Sequence, residues 1–300
     1  MNLLVSGAWS EAEENIDSLE KMGHTVYFMK WETDKLPVSP SIIDGVICNG
    51  LFLNHNIEAF TALKYIQLTS AGFDRVPMDY VKSHNIKIYN ARGVYSIPMA
   101  EFALCGVLQL YKKSNFFANN QIQHRWEKDR NLLELYDKNV CIVGCGSVGT
   151  ECAKRFKAFG TYITGIDIVP YSSQHYDEIL SLDNIEQALK TADIVILTLP
   201  LTDETRNLFN DNTFSIMKNN SILVNISRGG VVNTDALINA LKTKLYGAVL
   251  DVFDTEPLCD ESILWDMENV IITPHNSFVS DGNRERLNKV IIDNLINTNF

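Results

Sequence analysis

Basic residues are in short supply. Lys and Arg number 26 against 37 Asp and Glu, a formal net charge of −11 with histidine neutral. A nucleic-acid backbone is bound by clustered cations, so this deficit argues against such a partner. It also counts against an anionic membrane surface, and a polyanionic substrate would need a basic pocket working against the overall field. Long apolar runs are missing too, none approaching the roughly 18 residues that a membrane span requires. The opening Met1-Asn2-Leu3-Leu4-Val5-Ser6-Gly7 lacks the basic start and long apolar stretch of a secretion signal and reads as a strand. A cytoplasmic protein is expected. The six cysteines are scattered, and the cluster Cys141, Cys145, Cys152 has the spacing of a strand and glycine loop, not of a zinc knuckle. Buried or half-buried free thiols and no metal are expected, with oxidation sensitivity at Cys145 left open. There is no repeat, low-complexity tract or flexible linker. At 300 residues, 46% hydrophobic and 21% charged, the chain has an ordinary globular composition and a length that favours two domains.

What is present begins near the middle. Asn139-Val140-Cys141-Ile142-Val143 feeds the turn Gly144-Cys145-Gly146-Ser147-Val148-Gly149, and Asp167 follows eighteen residues after the last glycine. Three glycines at this spacing occur by chance. Here, however, a strand precedes them, a helical pattern runs from Thr150 to Phe159, and a second apolar run, 162–167, ends in the acid. In that setting Gly144 makes a tight turn, Gly146 lets backbone approach a pyrophosphate, and Gly149 lets the helix pack on the sheet. The helix start offers N–H groups and a positive dipole end to the phosphates. Asp167 would accept the ribose hydroxyls and repel a 2′-phosphate, and neither Ile168 nor Val169 supplies a cation. NAD is therefore expected rather than NADP. The plainer alternatives are a structural βα turn and a capping aspartate.

Strands and helices alternate along most of the chain. β-Branched runs at 3–6, 25–28, 45–48, 65–69 and 87–89 precede the glycine turn, and 194–199, 221–226, 247–252 and 270–273 follow it. Helical patterns lie between them at 10–22, 185–190 and 234–241, with an amphipathic tail at 281–296. This is an α/β pattern of βαβ units, predicting two doubly wound parallel-sheet domains. Between the two series, 97 to about 123 reads as one long helix with Pro98 in its first turn and no breaker beyond. It would pack beside the second domain and carry subunit contacts.

Three segments in the C-terminal half put polar groups just past strand ends: Arg228 after 221–226, Glu256 after 247–252, and His275 after 270–273. In an open α/β sheet, ligands sit outside the carboxyl ends of strands, so the three should converge. Oxidising an alcohol beside a carboxylate needs a planar cation to hold that carboxylate, a part suited to Arg228. It also needs a base for the hydroxyl proton, suited to His275, with a carboxylate such as Glu256 to fix its tautomer and favour its charged form. Singly, each could be an ordinary loop residue. Together, downstream of a cofactor turn, they are not readily a coincidence.

With these segments in view, the chain resembles the D-isomer-specific 2-hydroxyacid dehydrogenase family over nearly its full length. Further segments carry the likeness: Ser70-Ala71-Gly72-Phe73-Asp74, Ala100-Glu101-Phe102-Ala103, Leu199 to Thr205, and Asp251-Val252-Phe253-Asp254-Thr255-Glu256-Pro257. The resemblance implies a Rossmann NAD-binding domain, 98–276, inserted into a flavodoxin-like substrate-binding domain, 1–97 with 277–300. It implies Arg228, Glu256 and His275 as catalytic residues acting on a small 2-keto or 2-hydroxy acid. The cofactor would lie along Gly144, Gly146, Ser147, Val148, Gly149, Asp167, Pro200, Thr205 and Ser227, with Asp251 at the nicotinamide carboxamide. The substrate would meet Ser70, Ala71, Gly72 and Tyr95 besides Arg228 and His275. A homodimer held partly by the long helix is implied as well. The pattern is similar to phosphoglycerate dehydrogenases and glyoxylate/hydroxypyruvate reductases, in a short form expected to lack a regulatory domain because the sequence stops at Phe300. Corepressor relatives supply the alternative, an NAD(H)-sensing, non-catalytic partner-binding protein. Glu256 stands where formate-oxidising relatives carry Gln. Tyr95 and the stretch Asn276-Ser277-Phe278-Val279-Ser280 depart from common patterns beside the substrate, and Arg75 and Arg92 raise the option of a phosphorylated one.

Overall fold

A computed structural model describes residues 1–298; Asn299 and Phe300, at the end of the segment expected in the substrate-binding domain, lie outside the described residues. The chain forms two compact units, Met1–Tyr95 with Ser280–Phe300, and Ser96–Val279. In chain order, the first unit opens with β1 (Asn2–Ser6), α1 (Ala12–Lys21), β2 (Thr25–Met29), β3 (Gly45–Cys48), β4 (Tyr65–Leu68), α2 (Met78–Ser83) and β5 (Lys87–Tyr89). The second unit holds α3 (Ser96–Tyr111), α4 (Ser114–Ile122), β6 (Asn139–Val143), α5 (Ser147–Ala158), β7 (Tyr162–Asp167) and β8 (Glu178–Ser181). It continues with α6 (Ile185–Leu189), β9 (Ile194–Leu197), α7 (Asp211–Ile216), β10 (Ile222–Asn225), α8 (Thr234–Thr243), β11 (Gly247–Leu250) and β12 (Val270–Ile272). The first unit then closes with α9 (Asn283–Asn297).

The first unit is a five-stranded sheet ordered β2-β1-β3-β4-β5, every pair parallel. This is the flavodoxin-like order. Its inner strands β3 and β4 are buried throughout, as a sheet covered on both faces requires. Arg286 on α9 donates from Nε to the Val94 carbonyl at 2.8 Å and from Nη2 to both Ser280 Oγ at 3.2 Å and Asn283 Oδ1 at 3.0 Å. One guanidinium thus keeps both ends of the unit together. The unit edges fall two or three residues from the expected 97/98 and 276/277.

The second unit is a seven-stranded parallel sheet ordered β12-β11-β10-β9-β6-β7-β8. Outward from β6, one half runs β6-β7-β8 and the other β9-β10-β11-β12, so the order reverses between β6 and β9, the Rossmann arrangement. Strands β9, β10 and β11 are wholly buried. The edge strand β8 was not foreseen; its four residues, Glu178 to Ser181, are all half-exposed and give little apolar signal.

One expectation is corrected. The helix expected over 97–123 is two helices, broken at Lys112-Lys113, with Lys113 in the left-handed conformation at φ 50°. The break is enforced from outside the helix: Lys113 Nζ pairs with Asp129 at 2.5 Å, and Lys112 Nζ donates to the Leu133 carbonyl at 2.6 Å. Beyond it, α4 is rich in Asn and Ser, weak helix formers that do little to resist interruption. A second correction concerns thiols: Cys48, Cys141, Cys145 and Cys152 are buried, but Cys105 and Cys259 are exposed. Among the described residues no helix is long and apolar enough to cross a membrane.

Candidate active site

The glycine turn joins β6 to α5. Gly144 sits at φ +99°, which a side chain would strain, and a Cβ on Gly149 would lie 2.1 Å from the Gly144 carbonyl oxygen. The helix is therefore pressed onto the turn, and Thr198 Oγ1 donates to that same carbonyl at 2.6 Å. Gly146 is the N-cap of α5, gives no side-chain cap, and has open space where a Cβ would be. A concave, uncapped start of a 12-residue helix suits a pyrophosphate. Asp167, ending β7, accepts from Cys145 N–H at 2.8 Å and Val169 N–H at 3.3 Å, leaving acceptor capacity for two ribose hydroxyls. These residues fit NAD. The open question at Cys145 is answered by burial, first among the causes that push its thiol up to about 12; a neutral, enclosed thiol is a poor target for oxidation.

Elsewhere along the expected cofactor path, side chains shape loops. Thr205 Oγ1 donates to the Pro200 carbonyl at 2.8 Å and accepts from Thr202 N–H at 2.7 Å. Ser227 is buried, and both its N–H and hydroxyl go to Asn225 Oδ1, at 3.1 and 2.9 Å.

Arg228, Glu256 and His275 follow β10, β11 and β12, three adjacent strands. Asn225 Nδ2 donates to the Arg228 carbonyl at 3.1 Å, curling the chain at the strand end. Gly229 permits a close approach, since a Cβ there would lie 1.8 Å from the Phe253 carbonyl carbon. Phe253 in turn donates its N–H to Glu256 Oε1 at 3.0 Å, and the other oxygen, Oε2, lies 2.8 Å from His275 Nδ1. Contact thus runs from the Arg228 loop through Phe253 and Glu256 to the imidazole. Glu256 and His275 side chains are 36% and 42% exposed, so the pair contributes little stability. Its consequence is orientation: with Nδ1 engaged by the carboxylate, the ring is fixed about that bond and the proton-exchanging role falls to Nε2.

His275 adopts φ 50°, an uncommon conformation for a residue with a side chain. Asp251 holds it there. The Asp251 carbonyl accepts from His275 N–H at 2.8 Å; the carboxylate accepts from Thr273 Oγ1 at 2.6 Å, Asn276 N–H at 2.7 Å and Ser277 N–H at 3.0 Å. Asp251 is 0% exposed. Asn225, Phe253 and Thr273 stand inside the segments that carry the family likeness, but these hydrogen bonds were not foreseen for them.

In the first unit, Ser70, Ala71 and Gly72 follow β4. Ser70 Oγ donates to the Gly72 carbonyl at 3.1 Å and Asn90 Nδ2 to the Ala71 carbonyl at 2.6 Å, fixing this turn. The Tyr95 hydroxyl donates to the Thr69 carbonyl, bracing the same turn, and burial raises the phenol pKa.

A family model for the NAD binding domain of D-isomer specific 2-hydroxyacid dehydrogenases matches residues 104–277. Over 78% of its length the chain is 32% identical to glyoxylate reductase from Pyrococcus horikoshii, covering 72% of that protein. It is 34% identical to D-3-phosphoglycerate dehydrogenase from Methanocaldococcus jannaschii over 73% of its own length, but spans only 42% of that relative. The solved D-isomer specific 2-hydroxyacid dehydrogenase family protein from Aeromonas salmonicida superposes with a TM-score of 0.83 at 26% identity, covering 98% of this chain and 94% of the other. The chain belongs to the D-isomer-specific 2-hydroxyacid dehydrogenase family. Its cofactor is NAD, and it is an oxidoreductase of that class.

Proposed function

We propose that the protein reduces a small 2-keto acid to its D-2-hydroxy acid, or runs the reverse, with the first unit binding substrate. The Glu256–His275 bond carries this reading. Bound NADH supplies the hydride that reduces the substrate's carbonyl carbon. His275, held through Nδ1 by Glu256, delivers a proton from Nε2 to the carbonyl oxygen in reduction and removes it in oxidation. Arg228 holds the substrate carboxylate with a planar pair of N–H donors. Asp251 acts by setting the turn that presents His275.

The test is NADH oxidation followed at 340 nm with glyoxylate, pyruvate, hydroxypyruvate, 2-ketoisocaproate and 3-phosphohydroxypyruvate. NADH binding without turnover on any of these would instead support the NAD(H)-sensing, corepressor-like reading. Arg228→Lys is expected to raise KM for the keto acid by about tenfold or more, because a point charge replaces a bidentate fork. An unchanged KM and kcat together would remove Arg228 from the carboxylate.

A homodimer is part of the same proposal. Trp126 is 96% exposed and Ile122 77%, both in the second unit. Beside them a groove of about 850 Å³ is lined by Phe116, Tyr246, Trp265 and Met267, among others, at the N-terminal ends of β11 and β12. That end of the sheet is opposite the one carrying His275, so the groove is not the substrate site. Light scattering should give twice the chain mass of 33.9 kDa, and a monomeric mass would refute the dimer. A cytoplasmic location belongs to the proposal too, checked by cell fractionation.

A further inference from the structure

We infer that Tyr171 is a positioning residue of the cofactor site, fixing the peptide that presents Gly146; the inference rests on the NAD reading of the glycine turn. Its hydroxyl donates to the Cys145 carbonyl at 2.7 Å although Tyr171 is 44% exposed. That carbonyl and the Gly146 N–H belong to one planar peptide and point in opposite directions. Holding the carbonyl therefore sets where the Gly146 N–H points.

The preceding peptide is fixed independently. Its N–H, on Cys145, donates to Asp167 Oδ2 at 2.8 Å, and its carbonyl, on Gly144, accepts from Thr198 Oγ1 at 2.6 Å. The Cys145 side chain is also locked: a Cβ on Gly165 would lie 2.5 Å from Cys145 Sγ and 2.9 Å from Tyr176 Cδ1. Two successive peptide planes and the side chain between them thus have set partners. Asp167, Thr198 and Gly165 lie in or beside the sheet. Tyr171 comes instead from a stretch without regular secondary structure, beyond Ile168 and Val169, which are 81% and 71% exposed. Among the described residues, the Cys145–Gly146 peptide takes its carbonyl partner from this outlying phenol. A pyrophosphate at a helix start is held by N–H groups whose directions such planes determine, so losing the hydroxyl should be felt in cofactor affinity and not in chemistry.

The experiment compares the full chain with Tyr171→Phe, titrating each with NADH alone by fluorescence and then measuring turnover on the best keto acid of the panel. One neutral hydrogen bond corresponds to a Kd for NADH about 5-fold weaker in the variant. KM for NADH should rise in step, with kcat at saturating NADH and KM for the keto acid unchanged. Equal NADH affinity in the two proteins overturns the inference while leaving the cofactor site intact. Loss of kcat and of keto-acid affinity together also overturns it, by showing general damage to the fold. If the wild-type chain itself binds no NADH, the reading of the turn fails first, and Tyr171 with it.

Discussion

His275→Ala should lower kcat by about 10²–10⁴, the usual contribution of a positioned acid–base group. That is roughly 2.7–5.5 kcal/mol of transition-state stabilisation. The geometry says why the loss should fall on chemistry and not on binding. Nδ1 is engaged by Glu256 at 2.8 Å, so Nε2 is the nitrogen left to exchange a proton with substrate, and methyl replacement leaves nothing to do so. The glycine turn is built by β6, α5 and Asp167, none of which touches the imidazole in the contacts described above, so NADH affinity should be retained. Fluorescence titration with NADH and steady-state kinetics on the same sample separate the two effects. Turnover within about twofold of wild type would sink the role of His275, because a general acid–base group typically contributes about 10²–10⁴. A parallel loss of NADH binding would mean that the substitution had disturbed the second unit as a whole.

How much of this was written in the sequence differs sharply between the parts. The strands were legible because parallel, doubly covered strands are near-continuous apolar runs: Gly45–Cys48 and Gly247–Leu250 are buried at every position. The glycine turn was legible because its steric demands admit few alternatives at Gly144 and Gly149. Arg228, Glu256 and His275 stood out by position past strand ends, and the structure sets them after three adjacent strands with two of them hydrogen-bonded. The helix break at Lys113 was invisible because its causes, Asp129 and Leu133, lie sixteen and more residues downstream. No local propensity reports a partner that distant. The Tyr171 bond was hidden likewise: its acceptor is a backbone carbonyl, which every residue carries, so side-chain identity at position 145 gives no hint of it.

Asp251→Ala tests the link between the buried carboxylate and the exposed imidazole. Three donors converge on that carboxylate from Thr273, Asn276 and Ser277. They are not equivalent on its removal. Asn276 is exposed and can turn to water, whereas Ser277 is buried, and an orphaned buried N–H costs about 1–3 kcal/mol. With the lost hydroxyl bond of Thr273 at about 1 kcal/mol, a destabilisation of roughly 2–4 kcal/mol is expected in urea unfolding. The functional effect should be larger than that figure suggests, because the left-handed turn at His275 persists only while its neighbours over-determine it. Once residues 276 and 277 are released, the ring can relax by an ångström or more, and a displacement of that size costs about 10² in rate. The variant should therefore be folded at 25 °C, bind NADH, and turn over at least about 10²-fold more slowly. Thr273→Val removes one of the three bonds and should give a smaller loss in the same direction. A stable Asp251→Ala protein with wild-type kcat would show that the imidazole keeps its place without the acid, and the positioning role would have to be given up.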